Sequence, residues 1–470
     1  MKKEQTTLIL FILLAVLAFA PMVQEHLHVS RVKPLAGVTP EVKFPELTWN
    51  TYKSGRFQRT TEQYIRQHYG YRPNTIRLYN QYLWDCYHKT YNRSMISFGK
   101  EGWFYEPWFV EDYYHGGTYS QGKDSLTLAK AFDREAFRLY QLQHILENYG
   151  TTLLVCQAPG KDLVYPEYLP DDTVTKRPKQ LSARDYYKDR CNALGINYID
   201  MESQFLSMKD TARFDLFPQK GTHWSNLAAL YAADSLFRYI ESHQCQPMNR
   251  LVIGTPYTDK CRKPDYDLEE LLNLIRPLKK RPQQYADVCV KKVNGAVKPK
   301  LIVIGDSFYW NICSQIPMDS LFSTSAYWYY NSTVYFDSLH HSTQEVDLVE
   351  ELLSADAVML LYSSTQLYKL NDDFTKQALM ALCCDPEDIQ QAEAACIRNI
   401  KNTPTWFEGI KKRAETYQIP IDTVIATEAK NNVNVNPQFF IPELLDSIPT
   451  KRSSKVAEYL TYKNKPHGLQ

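Results

Sequence analysis

Two short stretches of the 470-residue chain hold side chains that could act together in nucleophilic chemistry. Ser307 lies in the run Ile304–Phe308, where a glycine permits a tight turn after an apolar segment. His223 lies in a glycine-containing turn ahead of an apolar helix. A serine hydroxyl is a weak nucleophile until a base removes its proton, and histidine titrates in the range that this step needs. The two residues are 84 positions apart, so only folding could bring them within hydrogen-bond reach.

Both residues also have ordinary structural interpretations. Ser307 could simply cap the helix that follows it, and most single histidines are surface or packed core residues. In the functional interpretation, backbone amides at a helix start stabilise a negative oxygen on an acyl carbonyl. The N–H of Ser307 would be one such oxyanion donor, and Asn331 is a candidate for the second, although a turn asparagine fits its pattern equally well.

The segments around these residues alternate between strands and helices. Short apolar runs predict strands buried on both faces: Thr152–Gln157, Ile196–Asp200, Leu301–Ile304 and Ala357–Leu361. Helical spacing of apolar residues predicts helices over 54–92, Leu126–Tyr149, Ser182–Leu194, Leu227–Ile240 and Leu268–Ile275. Strands separated by helices indicate an α/β protein, in which helices cover both faces of a mostly parallel sheet. In such a sheet, functional groups collect at the carboxyl ends of the strands, where Ser307 is expected.

The N-terminus predicts a membrane anchor. Lys2 and Lys3 precede an apolar run, Leu8–Val23, in the pattern of an export signal. Pro21 follows the small residues that a signal peptidase would need, so an uncleaved anchor is favoured over a cleaved signal peptide. The lysines would stay in the cytoplasm and the remaining chain would lie outside it.

The predicted organisation has four parts. Residues 1–24 form the anchor or signal peptide, and residues 25–50 a linker. Residues 51–380 form the main α/β domain, interrupted by an insertion at about 245–299. Residues 381–470 form a helical C-terminal extension.

Composition and motifs exclude several classes of function. Lys and Arg number 54 against 53 acidic residues, which gives no reason to expect a nucleic-acid partner. The chain has no C-x-x-C pair and no zinc-ligand spacing, so no metal is predicted. It also lacks glycine-rich nucleotide motifs, so no cofactor is predicted. Trp224, Trp310, Tyr329 and Tyr330 could stack on sugar rings, although core packing is the alternative for each.

Three motifs together resemble the alginate O-acetyltransferase-related proteins of the SGNH hydrolase-like superfamily. They are Ile304–Phe308, the pair His223-Trp224 and the turn Gly99–Phe104, and the likeness covers roughly residues 50–370. The segment Ala158–Lys161 also fits this family. The resemblance implies a three-layer SGNH hydrolase-like fold with a permuted order of motifs. It also implies an exported bacterial protein, anchored on the periplasmic side of the inner membrane, that acetylates a polysaccharide.

The resemblance implies roles for individual residues as well. His223 would act as the base and Ser307 as the nucleophile, which takes an acetyl group and passes it to a sugar hydroxyl. A membrane-bound O-acyltransferase would supply that group across the bilayer. The family places an aspartate two positions before the histidine, and this chain has Gly221 there, so Asp215, Asp200 or a backbone carbonyl would have to orient the imidazole. A carbohydrate acetyl esterase and a non-catalytic glycan-binding relative remain alternatives.

Overall fold

The computed structural model describes residues 2–37, 40–91, 95–171, 179–336, 339–371, 374–436, 441, 444 and 447–463. The chain divides into two compact units. The smaller unit comprises residues 1–107, 219–222 and 260–281, and the larger unit comprises residues 108–218, 223–259 and 282–470. The predicted linker, residues 25–50, therefore belongs to the same unit as residues 51–107. The predicted C-terminal extension, residues 381–470, belongs to the larger unit. Its last seven residues, 464–470, lie outside the described residues.

Helices and strands alternate through most of the described chain. The helices are α1 (Lys2–Leu27), α2 (Trp49–Lys53), α3 (Arg56–Gln67), α4 (Arg72–Tyr87), α5 (Pro107–His115), α6 (Ser125–Glu147), α7 (Lys161–Val164), α8 (Ala183–Leu194), α9 (Met201–Met208), α10 (Asn226–Ser242), α11 (Asp267–Leu271), α12 (Trp310–Cys313), α13 (Met318–Leu321), α14 (Leu348–Ser354), α15 (Phe374–Cys383), α16 (Pro386–Asn402), α17 (Pro404–Tyr417), α18 (Ile421–Val435) and α19 (Ser454–Lys463). The strands are β1 (Ser97–Phe98), β2 (Phe104–Tyr105), β3 (Thr152–Ala158), β4 (Tyr198–Asp200), β5 (Arg250–Ile253), β6 (Tyr257–Asp259), β7 (Gln283–Tyr285), β8 (Val288–Lys291), β9 (Lys300–Gly305), β10 (Thr324–Tyr329), β11 (Thr333–Phe336), β12 (Leu339–Ser342) and β13 (Ala357–Ser363).

A seven-stranded sheet, in the order β12-β11-β10-β9-β13-β3-β4, forms the centre of the larger unit. The five strands from β10 to β4 are parallel, whereas β11 and β12 extend one edge as antiparallel strands. Gly305 pairs with Tyr329 on one side and Leu361 on the other, so three neighbouring strands end at the same edge. The prediction of a mostly parallel α/β sheet is confirmed. The sequence analysis predicts no strands over β10 to β12, because it interprets Tyr329 and Tyr330 only as packing or sugar-stacking residues.

Helices cover both faces of this sheet. Every residue of β13 is buried, as are all but the first residue of β3 and of β9, which requires cover on each side. A single hydrophobic core on one face includes side chains of the sheet, of α6 and of the C-terminal helices. Ile400, Val433 and Val456 belong to this core, so the C-terminal helices are packed on the sheet. The three-layer arrangement and the helical C-terminal region are therefore as predicted.

The helical character predicted over 54–92 is confirmed, and it is divided between two helices. The structure has α3 and α4 over this part of the chain, and the short helix α2 lies directly before it. Gly55, at φ +70°, separates α2 from α3, because its left-handed backbone cannot continue a right-handed helix. A turn at residues 68–71 then separates α3 from α4, and Pro73 lies in the first turn of α4, where its missing N–H costs nothing.

The predicted insertion at 245–299 does not form one body. Strand β5 pairs with β8, and β6 pairs with β7, within the larger unit. Residues 260–281 belong to the smaller unit, where Leu268 and Leu272 pack in a small core with Ile96 and Phe104. The helix predicted there is also shorter than expected, since α11 ends at Leu271.

Helix α1 contains one apolar segment, Gln5–Leu27, that is long and apolar enough to cross a membrane, and it is the sole such helix among the described residues. Its side chains are exposed along most of its length; Leu14, for example, is 64% exposed. A signal sequence would share these properties. The last turns of α1 contact the rest of the smaller unit, because the N–H of Gly70 donates to the carbonyl oxygen of Pro21 at 3.2 Å.

Candidate active site

Ser307 lies directly beyond the end of β9, in a turn that is fixed by Asp306. One oxygen of the buried Asp306 carboxyl group accepts the N–H of Phe308 at 3.1 Å. The other accepts both the N–H and the hydroxyl of Ser363, at 2.8 and 2.7 Å. Burial raises the pKa of Asp306, and these hydrogen bonds oppose the rise. The serine turn is thereby held on the end of the neighbouring strand β13.

Gly305 lets this turn approach β13 closely. A Cβ atom at this position would lie 2.0 Å from the carbonyl oxygen of Leu361, which no side chain can tolerate. The N–H of Asp306 then donates to the same carbonyl oxygen at 3.1 Å. The close approach to β13 therefore accounts for Gly305, and the hydrogen bonds of the carboxyl group account for Asp306. Ser307 follows them, half-buried, at the carboxyl edge of the sheet.

His223 approaches Ser307 from the turn that precedes α10. The N–H of Ser225 closes this turn on the carbonyl oxygen of Leu216 at 2.8 Å, and the Ser225 hydroxyl caps α10. The Nε2 atom of His223 lies 2.7 Å from the Oγ atom of Ser307. This is hydrogen-bond distance, so the fold brings together the two residues that the sequence placed 84 positions apart.

Trp224 joins the histidine turn to the serine turn. Its Nε1–H donates to the carbonyl oxygen of Phe308 at 3.2 Å, and its own carbonyl oxygen accepts Nδ2–H of Asn311 at 3.1 Å. The ring of Phe308 also packs edge-on against the His223 imidazole, with 5.0 Å between ring centroids. Trp224 has no exposed surface, so the prediction that it could stack on a sugar is wrong.

The other three predicted sugar-stacking residues lie in one aromatic cluster beside the serine turn. Trp310 packs nearly perpendicular to Tyr335, at 4.7 Å between centroids, and lies 6.3 Å from Tyr329. Tyr329 contacts Tyr330 at 4.6 Å. Tyr330 is exposed and donates its N–H to the carbonyl oxygen of Gly305 at 2.9 Å, so it lies next to the end of β9.

The predicted second oxyanion donor, Asn331, lies in the turn between β10 and β11. Its Nδ2–H donates to the Oε1 atom of Gln377 at 3.2 Å, and its carbonyl oxygen accepts the hydroxyl of Thr343 at 2.8 Å. Its φ of +50° is in the left-handed region, where asparagine is well tolerated. The structure therefore gives Asn331 the contacts of a turn residue.

The two predicted orienting acids have other hydrogen-bond partners. Asp200 accepts the N–H of Ser203 at 2.8 Å and pairs with Lys188 at 2.7 Å. It ends β4, three strands from β9, which corresponds to about 14 Å across the sheet. Asp215 accepts a hydrogen bond from Gln283 at 3.3 Å. The role of either acid toward His223 stays a prediction.

Carboxyl groups also hold the residue before the histidine, within the smaller unit. The N–H of Thr222 donates to Asp267 at 2.9 Å, and its hydroxyl donates to Glu106 at 2.7 Å. Sequence reasoning missed both contacts, because Glu106 and Asp267 are far from Thr222 along the chain and lie in no recognisable motif.

A buried group of charges lies beyond the end of β3, in the Ala158–Lys161 region that carried part of the family resemblance. Nη1 of Arg184 lies 3.0 Å from a carboxyl oxygen of Asp112 and 2.9 Å from one of Asp162. The carboxyl group of Glu202 accepts the N–H of Gly160 at 3.3 Å. Burial raises the pKa of Asp112 to about 7 and that of Glu202 to about 8, against the opposing effect of Arg184.

Sequence reasoning also missed Ser363, which holds the serine turn on β13, and Asn311, which bonds to Trp224 in the histidine turn. A signal for Ser363 existed, because a polar run, Ser363–Thr365, begins two residues after the apolar strand predicted at Ala357–Leu361. Asn311 gave no signal of its own. In the part of the chain that the structure describes, no group of three or more His, Cys, Asp and Glu side chains could hold a metal ion.

One family model matches part of the chain. Residues 96–311 match the family model described as an SGNH hydrolase-like domain, acetyltransferase AlgX. That stretch includes both His223 and Ser307. No curated protein matches the chain.

Several solved structures are similar to the chain at low sequence identity. The O-acetyltransferase domain of Pseudomonas putida AlgJ is 15% identical, over 59% of this chain and 93% of that one, with a TM-score of 0.37. Pseudomonas aeruginosa AlgX is 12% identical, over 58% and 66% of the two chains, with a TM-score of 0.37. Bacillus cereus PatB1 is 11% identical, over 51% and 91%, with a TM-score of 0.34. The match shows that residues 96–311 are similar to the SGNH hydrolase-like domain of the acetyltransferase AlgX.

Proposed function

We propose that this protein is an O-acetyltransferase that modifies a polysaccharide outside the cytoplasm through an acyl-serine intermediate. The observation that carries the proposal is the 2.7 Å separation between Nε2 of His223 and Oγ of Ser307. A hydrogen bond of this length lets the imidazole accept the hydroxyl proton as the oxygen attacks an acyl carbonyl.

The first half of the reaction forms the acyl-serine. His223 takes the proton from Ser307, and the Oγ atom bonds to the carbonyl carbon of an acetyl donor. The N–H of Ser307, which opens the turn after β9, stabilises the negative oxygen that develops. When the bond to the leaving group breaks, the imidazolium of His223 returns its proton to that group.

The second half transfers the acetyl group. A sugar hydroxyl loses its proton to His223 and attacks the acyl carbonyl, so that Ser307 regains its hydroxyl. Tyr330, Tyr329 and Trp310 lie beside the serine turn and are the proposed acceptor-binding surface. Water in place of the sugar would make the protein an esterase.

The position of the protein in the cell belongs to the same proposal. Helix α1 serves as an uncleaved anchor in the inner membrane, and the remaining chain faces the periplasm. A membrane-bound O-acyltransferase supplies acetyl groups from the cytoplasmic side. The support for this arrangement is the exposed apolar segment Gln5–Leu27, preceded by Lys2 and Lys3.

The test is detection of the acyl-serine by mass spectrometry. The purified full-length chain is exposed to an activated acetyl ester, and we expect a single added acetyl group on Ser307. The Ser307→Ala variant should show none. Ser314→Ala is the matched control, because Ser314 is an exposed serine seven residues further on and should leave acetylation unchanged.

The same experiment separates the proposed function from its two alternatives. Adding a polysaccharide acceptor should move the acetyl group from the protein to the glycan. Release of free acetate at the same rate with and without the acceptor would instead identify an esterase. Glycan binding that survives in Ser307→Ala and His223→Ala, without any acetyl-enzyme in the unmodified protein, would identify a non-catalytic relative; Gly221 favours that alternative.

A further inference from the structure

We propose that the exposed face of α4 lies on the periplasmic surface of an anionic lipid bilayer, next to the point where α1 leaves it. This face consists of Leu78, Tyr79, Tyr82 and Cys86, and we call it the α4 face. The proposal rests on α1 as a membrane anchor, which is part of the proposed function. It adds a second, peripheral contact between the smaller unit and the membrane.

The first support is the contact between the start of α4 and the end of α1. The N–H of Gly70 donates to Pro21 at 3.2 Å. A Cβ atom on Gly70 would lie 2.5 Å from the backbone nitrogen of Glu25 and 2.6 Å from the oxygen of Pro21. The turn before α4 is therefore pressed against the last two turns of α1. If the apolar part of α1 spans the bilayer, this turn must lie at the membrane surface.

A second contact keeps α4 close to the segment that leaves α1. The guanidinium group of Arg77 donates to the carbonyl oxygens of Lys33 and Pro34, at 2.8 and 2.7 Å. Lys33 is six residues beyond the end of α1. The turn before α4 and the middle of α4 are thus linked to α1 and its juxtamembrane segment, at Gly70 and at Arg77.

The α4 face has the residues of a membrane interface. Leu78, Tyr79 and Tyr82 are at least half exposed, and Leu78 is 64% exposed. They recur at spacings of three and four residues with Cys86, so they share one side of the helix. Two further exposed tyrosines adjoin them, since Tyr87 contacts Tyr82 and Tyr91 contacts Tyr79, at 6.2 and 6.4 Å between centroids. Tyrosine is enriched where a protein surface meets the headgroup region of a bilayer.

The charge of this part of the chain indicates an anionic surface as the partner. Residues 28–91 hold ten Lys and Arg against four Asp and Glu, a surplus of six in a chain whose net charge is +1. On α3, Arg56, Arg59 and Arg66 are exposed. Basic residues close to a membrane are attracted to anionic lipids. An acidic glycan would also attract them, but it would give no reason for the contact between Gly70 and Pro21.

The test uses a fluorescent label on Cys86 of the full-length chain. Cys245 and Cys289, the exposed cysteines of the larger unit, are replaced by serine. The protein is reconstituted into phosphatidylcholine vesicles with and without phosphatidylglycerol, and an environment-sensitive dye is attached to the thiol. A spin-labelled lipid with its quenching group near the headgroups then reports the contact. The Cys86→Ser version of the same protein gives the background from the less accessible thiols.

We expect a blue shift and quenching of the Cys86 dye in vesicles that contain phosphatidylglycerol, and a loss of quenching in neutral vesicles. A dye on Cys289, in a protein with Cys86→Ser and Cys245→Ser, should show neither change. The double variant Tyr79→Ser, Tyr82→Ser should lose the quenching while the protein still floats with the vesicles.

Three results would overturn the proposal, and flotation, the blue shift and lipid quenching together tell them apart. A protein that floats with vesicles, but whose Cys86 dye is as unquenched as the Cys289 dye, has an anchor and no peripheral contact. A blue shift without lipid quenching would mean that a second protein copy covers the α4 face. A protein that does not float at all would overturn the anchor itself, and the contact with it.

Discussion

The indole N–H of Trp224 donates to the carbonyl oxygen of Phe308 at 3.2 Å, and this bond joins two turns at the edge of the sheet. Each residue is directly adjacent to a member of the proposed catalytic pair, since Trp224 follows His223 and Phe308 follows Ser307. The hydrogen bond therefore couples the position of the imidazole to the position of the hydroxyl. A second bond, from Asn311 to the carbonyl oxygen of Trp224, runs in the opposite direction.

Replacing this tryptophan should slow acylation more than it weakens the fold. Trp224→Phe keeps an aromatic ring in the core and removes the N–H donor. We expect the loss of one hydrogen bond to cost about 1 kcal/mol of unfolding free energy. A misplacement of the reacting groups can cost up to ~10²-fold in rate. Rapid-quench mass spectrometry of acyl-enzyme formation and denaturant unfolding measure the two effects.

A second tryptophan provides the control for this prediction. Trp406 donates its indole N–H to Glu428 at 3.1 Å, among the C-terminal helices. Trp406→Phe removes a comparable hydrogen bond away from the two turns, so acylation should keep its normal rate. Equal slowing in both variants would contradict a positioning role for Trp224.

The carboxyl group of Asp306 should be essential to the shape of the serine turn. Asp306→Asn replaces one acceptor oxygen with an N–H donor, which then faces the N–H and hydroxyl of Ser363 or the N–H of Phe308. A buried donor without an acceptor costs about 1–3 kcal/mol, so we expect a loss of stability of this size and slower acylation. Ser363→Ala removes a single hydrogen bond and should have a smaller effect on both measurements. Full activity and stability in Asp306→Asn would contradict this account.

The charges around Arg184 should make the protein less stable as the pH rises. Burial raises the pKa of Glu202 from its ordinary 4.5 to about 8, and that of Asp112 from 3.8 to about 7. A carboxyl group whose pKa is higher in the folded than in the unfolded protein makes its full contribution to stability at pH values below its unfolded pKa. That stability is lost as the pH rises through the folded pKa. Denaturant unfolding should therefore require less denaturant at pH 9 than at pH 5.

Glu202→Gln tests the assignment of this pH dependence. Glutamine keeps an acceptor for the N–H of Gly160 and cannot ionise. We expect the variant to lose less stability than the unmodified protein between pH 5 and pH 9, by on the order of a few kcal/mol. Glu167→Gln, on the protein surface, is the matched control and should retain the original pH profile. An unchanged profile in Glu202→Gln would exclude Glu202 as the source.

Asn331 should contribute little to acylation. Its Nδ2–H donates to Gln377, so it would have to leave that partner to reach a developing oxyanion. The loss of an oxyanion donor costs ~10²–10³-fold in rate, whereas the loss of a turn contact leaves the rate nearly unchanged. We expect Asn331→Ala to acylate at the normal rate in the single-turnover experiment. A hundredfold loss would instead make Asn331 the second oxyanion donor.

The sequence predicted the parts of the fold in which local pattern and tertiary structure agree. The runs Leu301–Ile304 and Ala357–Leu361 are apolar because both faces of a central parallel strand are covered, and the structure has strands there. The proximity of Ser307 and His223 followed from the positions of their turns relative to a strand and a helix. Both inferences depend on local sequence patterns: apolar runs for the strands, and turns beside a strand and a helix for Ser307 and His223.

Other features depend on contacts that no local pattern contains. Trp224 is an aromatic residue next to a candidate base, and only its hydrogen bonds with Phe308 and Asn311 show that it joins two turns. The partners of Asp306 and Thr222 come from distant segments, Ser363 in one case and Asp267 in the other. The strands β10 to β12 were missed for a different reason, because aromatic residues favour both strand formation and ligand stacking.

The C-terminal helices affect how the protein can be produced in the laboratory. They share a single hydrophobic core with α6 and the sheet, and this core reaches Val456. A shortened version that ended at residue 380 would expose the side chains that Ile400 and Val433 now cover, and large exposed apolar patches promote aggregation. Expression of the acetyltransferase-like region therefore requires the chain to continue through α19.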